Sequence, residues 1–327
     1  MKKEQALRIF LIVVAALCGS FVSVPDVRSY PERDIVCIVP APPGGGTDVV
    51  ARAAAPYLKK YLPKNPNIIV QNIAAVGGRT AWINLYDAKP DGYTIGSMEY
   101  NVPAVAKTIG QFGDRDPMRM TFFQRVSHSP YMLGFGAKSP IKVLEDLKGK
   151  KVLAACSQVT ILPSMGGLRV LGAQPQPVFY GGGSDCALAA MRGDVDVVAQ
   201  PGGTLVRMVA SSGGKLIPIL SFSEERLWFA KDIPTVKEKG FHISEGLMAA
   251  LDIQYFFAAP AGLPADVARI LNEAIQKMIG DPEFSTDLER VKLDLAVLPP
   301  DKVEKGMSMM LDIAAQYKDI LVQSSGK

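Results

Sequence analysis

Histidine is nearly absent from this 327-residue chain, with two copies. His128 and His242 belong to no His/Cys cluster at metal-site spacing, so a zinc centre or a His-activated nucleophile has little to be built from. The Gly-x-Ser-x-Gly elbow is missing too, because in "GGGSDC" Cys186 stands where the last glycine belongs. Neither the Gly-Lys-Ser/Thr ending of a P-loop nor the Gly-x-Gly-x-x-Gly spacing of a dinucleotide fold occurs, and no phosphate-gripping lysine follows the glycine-rich loop. A strong charge excess is also lacking: 36 Lys and Arg face 32 Asp and Glu. That balance leaves no electrostatic footprint for nucleic acid. Enzymes can work without histidine, so these absences weaken a catalytic reading without closing it. No internal repeat and no low-complexity linker divides the chain.

What is present starts with a targeting segment. Residues 1–29 place Lys2, Lys3 and Arg8 ahead of an apolar run from Ile9 to Cys18, the layout of a secretory signal peptide. Val27 and Ser29 suit a cut before Tyr30, and export from the cytoplasm follows. A membrane span wants about 20 apolar residues, so an uncleaved anchor is the weaker alternative. Lipidation at Cys18 is weaker still, because the bulky Leu17 precedes it. Four bases and two acids fall in this segment, so the remainder carries a formal charge of +2. Three cysteines remain, an odd number that leaves at least one thiol unpaired. Cys37 alternates with Val36 and Ile38 as a buried small hydrophobe, and a Cys156–Cys186 bridge is one pairing the count permits.

Short apolar runs alternate with helical periodicity throughout. "DIVCIVP", "NIIVQNI", "GYTIGSM", "YMLGFGA", "KVLAACS", "PVFYGG", "VDVVAQP", "LIPILSF" and "IQYFFAAP" predict strands, and the alternation predicts βαβ units in parallel sheets flanked by helices. Pro264 opens a helix whose apolar stripe is Val267, Ile270, Leu271, Ala274, Ile275 and Met278, closed by Gly280 and Pro282. The last helix is expected near Asp301, with Glu304 completing a capping box and a stripe through Val303, Met307, Met310, Leu311, Ala314, Tyr317 and Leu321. Pro56 should kink the first helix. His128, in "VSHSP", is expected in a loop.

The stretch "VCIVPAPPGGGTDVVARAAAPYL" carries the first functional signal. A strand ends at Pro40, three glycines follow, and a helix begins near Thr47 or Asp48, either of which can cap it. Unpartnered amides and the helix dipole make such a start a place for an anion. Glycines let the backbone come close to a ligand. The bland alternative is a tight turn before a helix. Three later loops repeat the theme after strands: Ser157, Gln158, Thr160 and Ser164; then Gly181, Gly182, Gly183 and Ser184; then Gly202, Gly203 and Thr204. Ligands in parallel α/β folds lie at the carboxyl ends of strands, so these loops predict a second wall facing the first.

Taken in order, "YPERDIVCIVPAPPGGGTDVVARAAAPYL", "AAVGGRTAWINLYDAKPDGYTIGSM", "YGGGSDCALAAMRGDVDVVAQPGG", "GKLIPILSFSEER", "DIPTVKEKGF" and "FFAAPAGLPADVARILNEAIQKMIGDPEF" resemble the periplasmic solute-binding proteins of tripartite tricarboxylate transporters, the Bug family. The likeness covers essentially the whole chain after residue 29. It implies a two-domain type II periplasmic binding protein, a Venus flytrap with two crossing hinge strands. One domain would be residues 30–134 plus 253–327, the other 135–252. A carboxylate would lie between them, held by backbone amides, hydroxyls and bridging waters, and closure would deliver it to the permease subunits in the membrane. Pro43, Gly44, Gly45, Gly46, Thr47 and Asp48, with Gly78 and Arg79, would grip it from the first domain. Ser157, Gln158, Thr160, Ser164, Gly182, Gly183, Ser184 and Gly202 would do so from the second. The resemblance implies a monomer with no catalytic residue, cofactor or metal. The alternative partner is a signalling protein to which the bound ligand is presented.

Three departures bear on the ligand. Arg79 stands where family members often have asparagine, and could fork onto a carboxylate or be an ordinary solvated arginine. Glu99 occupies a position where small polar residues are usual. It would repel an acid unless paired with Arg79 or met by an amine on the ligand. Ile161, Leu162 and Pro163 replace a hydroxyl-rich loop, which suits a more apolar acid.

Overall fold

The computed structural model describes residues 30–324 with the exception of Gln158; the expected signal peptide, residues 1–29, lies outside the described residues. In chain order the elements are β1 (Ile35–Val39), α1 (Gly46–Tyr61), β2 (Ile68–Asn72), α2 (Arg79–Tyr86), β3 (Thr94–Met98), α3 (Asn101–Thr108), β4 (Thr121–Gly136), β5 (Lys151–Cys156), α4 (Ile161–Val170), β6 (Gln174–Phe179), α5 (Gly183–Arg192), β7 (Val197–Pro201), α6 (Gly202–Ser211), β8 (Leu216–Ser221), α7 (Glu245–Ala250), β9 (Asp252–Ala259), α8 (Ala265–Ile279), α9 (Pro282–Arg290), β10 (Asp294–Leu298), α10 (Pro300–Gln316) and α11 (Lys318–Ser324). Each of the nine runs predicted as strands overlaps one.

The strands lie in the order β2-β1-β3-β9-β4-β7-β5-β6, with β10 and β8 also on β4. Toward the two ends the pairs β1–β2, β1–β3, β5–β6 and β5–β7 are parallel, as helical crossovers require. In the middle every described pairing of β4 or β9 is antiparallel. β4 is the long element, at 16 residues. Through Pro130 it pairs with β9, and from Tyr131 onward it pairs with β7 and β8. One strand therefore serves two sheets.

The first half of β4 and all of β10 escaped the sequence reading. Ser127, Ser129 and Pro130 look like turn chemistry. The partners that make this stretch a strand arrive more than a hundred residues later, on β9 and β10. His128, expected in a loop, is consequently a strand residue with Nδ1 2.7 Å from Asp252 Oδ2.

Helix punctuation fares unevenly. α8 begins after Pro264, ends at Gly280, and buries Val267, Leu271, Ala274, Ile275 and Met278, as periodicity predicts. α10 has no capping box: Pro299 is its N-cap, no side chain caps it, and Pro300 opens the first turn. A proline there needs no acceptor for an amide it lacks. The helix also stops at Gln316, and α11 begins at Lys318. α1 runs unbroken through the exposed Pro56. Cys37, Cys156 and Cys186 are buried free thiols, so the permitted Cys156–Cys186 bridge is not formed. Burial pushes the Cys37 and Cys186 thiols up to about 12.

Candidate functional site

A narrow cleft is lined from the carboxyl ends of all six parallel strands, as packing rules for α/β sheets anticipate. Pro40 to Pro42 and Gly45 to Thr47 come from the loop after β1, Ala74 and Gly77 from that after β2, and Glu99 directly follows β3. The opposite wall is Ser157, Val159 and Thr160 after β5, Gly181 to Ser184 after β6, and Gln200, Pro201 and Thr204 at the end of β7. Ile253 and Tyr255 of β9 form the floor. The unfilled space, counted out to the mouth, is about 650 Å³. A methyl built on Gly182 would stand 3.4 Å from Pro42, so the walls nearly meet. Asn101 Nδ2 also reaches from α3 to the Val159 carbonyl at 3.0 Å.

The glycine loop works differently from the simplest reading of it. Gly44, at φ +82°, sends its amide to Asp48 Oδ2 at 2.8 Å. Gly45 sends its own to the Pro42 carbonyl at 3.0 Å and is the N-cap of α1, with no side-chain cap. Neither Thr47 nor Asp48 caps the helix, whose first-turn amides lack intrahelical partners, and the first-turn residues that line the cleft are Gly46 and Thr47. Asp48 braces the loop from behind, also accepting from Arg52 Nε at 2.9 Å and Asn72 Nδ2 at 2.8 Å. Burial would raise its carboxyl, but the bonds from Arg52, Gly44 and Asn72 together hold it below the ordinary value. Glycine is required at 46, because a Cβ there would lie 2.1 Å from the Tyr255 hydroxyl oxygen.

The second wall is built the same way. α5 starts at Gly183 with Gly182 as an uncapped N-cap, which leaves first-turn amides open. A Cβ on Gly183 would lie 2.5 Å from Gln200 Oε1. The Ser157 and Thr160 hydroxyls are 3.3 Å apart and tied together, with Thr160 Oγ1 also accepting the Ser157 amide at 2.8 Å.

Of the residues predicted for the site, Gly45, Gly46, Thr47, Ser157, Thr160, Gly182, Gly183 and Ser184 line the cleft. Gln158 lies outside the described residues. The remainder stand elsewhere for identifiable reasons. Pro43 and Gly44 are exposed at the loop tip. Gly78 is an αL cap whose Cβ would strike the Pro40 carbonyl. The Arg79 guanidinium is bonded to Gln111. Ser164 is buried inside α4. Gly202 packs on Met132 and Leu227.

Thr204, in a loop predicted for the second wall, does line the cleft, but sequence reasoning did not place Tyr255, Gln200 or Ile253 in the site. Period-two alternation along β9 sends Ile253 and Tyr255 to one face and Asp252 and Gln254 to the other, but nothing local says which face has a cleft.

Three cleft residues hold buried polar atoms without a hydrogen-bond partner: Thr47 Oγ1, Gln200 Nε2 and the Tyr255 hydroxyl. Buried polar groups are normally paired, so three orphans on one cleft leave hydrogen-bonding capacity open there. Glu99 is 1% exposed, and the amides of Asn101 and Val102 donate to its two oxygens. Burial raises its carboxyl to about 7, with those two amides opposing the rise.

The other face of the central strands is a larger groove of about 1810 Å³ that includes His128, Asp252, Gln254 and Trp228. Some of its polar groups pair within the chain, such as His128 with Asp252 and Trp228 Nε1 with Asp294, while Asp252 Oδ1 is buried without a partner. Among the described residues no cluster of three His, Cys, Asp or Glu could hold a metal.

Known proteins share this architecture. BugD, a periplasmic binding protein, superposes with a TM-score of 0.72 at 22% identity, covering 89% of this chain and 98% of its own. MatC from Rhodopseudomonas palustris, solved with bound malate, gives 0.73 at 20% identity over 90% and 100%. In sequence, a UPF0065 protein of Bordetella bronchiseptica is 25% identical over 293 residues, 86% of this chain and 84% of the relative. Residues 50–320 match the family described as "Tripartite tricarboxylate transporter family receptor". The chain therefore belongs to the tripartite tricarboxylate transporter receptors, the Bug proteins, a family of periplasmic solute-binding receptors and not of enzymes.

Proposed function

We propose that this protein captures a small organic carboxylate in the cleft and hands it to the permease subunits of a tripartite tricarboxylate transporter, with residues 1–29 directing export. One observation carries the reading. The amino ends of α1 and α5 meet in the cleft beside three unpartnered groups that can donate, Thr47 Oγ1, Gln200 Nε2 and the Tyr255 hydroxyl. An anion is satisfied by amides and hydroxyls of this kind without an arginine, and waters can bridge what the direct contacts do not reach. The malate in MatC supports beginning with dicarboxylates.

In this reading the protein has two lobes, residues 30–134 with 253–327, and 135–252. The change of partners on β4 after Pro130 supports putting the first crossing there, and the chain returns where α7 leads into β9. Ligand binding holds the lobes shut by hinge closure.

Thermal-shift and calorimetric titration of the full chain against di- and tricarboxylates, aromatic acids and amino acids tests the capture step. A ligand at about 100 times its Kd stabilises by about 2.7 kcal/mol. A folded protein that binds no carboxylate overturns the reading. Uptake by permease-bearing vesicles, with and without this chain, tests delivery.

A further inference from the structure

We infer that the ligand of this cleft carries a protonated amine seated against Glu99, in addition to the carboxylate that the proposed function requires, on which this inference rests. Glu99 is the one carboxyl among the described residues lining the cleft, and none of those residues is Lys, Arg or His. Arg79, the intramolecular partner that sequence would offer it, is bonded to Gln111 and lies outside the lining. The Asn101 and Val102 amides donate to both Glu99 oxygens, which favours the charged form. A buried carboxylate without a cation is unfavourable, and a ligand carboxylate nearby makes it more so. An ammonium on the ligand answers both problems. It also divides the cleft, with donors from α1, α5, Gln200 and Tyr255 for the acid and an acceptor at Glu99 for the amine.

The groups facing Glu99 do not compete for this role. Tyr131 of β4 and Tyr255 of β9 are electrostatically coupled to it, and burial raises both phenols far above neutrality. The Tyr131 hydroxyl donates to the Val159 carbonyl at 3.3 Å. Cys186, near Tyr131, is held up at about 12. Arg207, near Tyr255, gives its guanidinium to the Val291 carbonyl and Thr204 Oγ1. Glu99 is thus the cleft group that titrates near neutrality, with its carboxyl at about 7.

Calorimetry on the full chain with matched acids tests the inference: succinate against aspartate, glutarate against glutamate, phenylpropanoate against phenylalanine. In the pair whose side chain fits, the amine-bearing member should bind at least about tenfold tighter near pH 7.5, and E99Q should abolish that preference. The pH slopes should oppose each other in the wild type. Affinity for the amine rises from pH 6 to 8 as Glu99 ionises, and affinity for the amine-free acid falls. These slopes decide the matter if E99Q does not fold. Equal or tighter binding of the amine-free acid overturns the inference and leaves the carboxylate reading standing, as does an unchanged preference in E99Q. Failure of every acid in both sets to bind folded protein overturns the carboxylate reading, and this inference with it.

Discussion

The two faces of β9 carry opposite solutions to the same problem. Asp252 and Gln254 turn to the larger groove, where Asp252 meets His128 and Gln254 meets Arg125. Ile253 and Tyr255 turn to the narrow cleft, where the Tyr255 hydroxyl, Gln200 Nε2 and Thr47 Oγ1 have no partner. The larger cavity leaves one buried acceptor unpartnered, Asp252 Oδ1, and the smaller one holds three unmet donors. Unsatisfied hydrogen-bonding capacity, and not volume, is what supports the proposed binding face.

The sharpest way to break this comparison is at Glu99. Its folded carboxyl sits near 7 because of burial, above the unfolded value, so between about pH 4 and 7 the native protein keeps a proton that the unfolded chain has released. Stability then falls as pH rises through that window, and the deficit is complete above it. Glu99→Gln should stabilise the ligand-free protein at about pH 8 by on the order of 3 kcal/mol and have little effect near pH 4. Equal shifts in melting temperature at both pH values would show that the carboxyl is not strained in the cleft.

Gly46→Ala comes next, since its Cβ would occupy the space of the Tyr255 hydroxyl. Ligand affinity should fall by about a hundredfold and stability by about 1–3 kcal/mol, read by calorimetry and urea melts. Tyr255→Phe removes an orphaned hydroxyl and should weaken ligand binding by about tenfold, leaving stability unchanged or slightly raised. A loss of stability without a loss of affinity would assign that hydroxyl to the fold instead.

Asp48→Asn should reduce stability by about 1 kcal/mol near neutral pH, since Gly44, Arg52 and Asn72 all bond to the carboxylate. The folded carboxyl lies below its ordinary value. Its contribution is therefore present above the unfolded value and is lost as pH falls through the folded one, so parent and variant should converge in strong acid. The smallest effects should be those of Arg79→Ala and His128→Gln, which alter residues outside the cleft. Both should leave ligand affinity within about twofold, and a tenfold loss from His128→Gln would erase the distinction between the two faces.

Much of the fold was legible because its signals are local. Strands ending in Gly, Pro or Ser and the stripe of α8 follow from neighbouring residues. The glycine-rich loops after β1 and β6, which line the cleft, were legible from their composition. Positions such as Gly78 and Gly202 share that composition, but there the missing side chain makes room for Pro40, Met132 and Leu227 within the protein. A glycine in a sequence does not say whether a ligand or another part of the chain fills the space. The first half of β4 was illegible for a similar reason, because the strands that pair with it are remote in sequence.

By itself the sequence determined the α/β alternation, the family, and the glycine-rich turns at strand ends, since periodicity, turn chemistry and helix punctuation act over a few residues. Only the tertiary structure decided that Tyr255 and Gln200 join Thr47 in one cleft, that Glu99 faces it while Arg79 does not, and that Asp48 braces the loop from behind. Those outcomes depend on which distant segments pack together, and it is burial among them that leaves three cleft donors without a partner and raises one carboxyl to about 7.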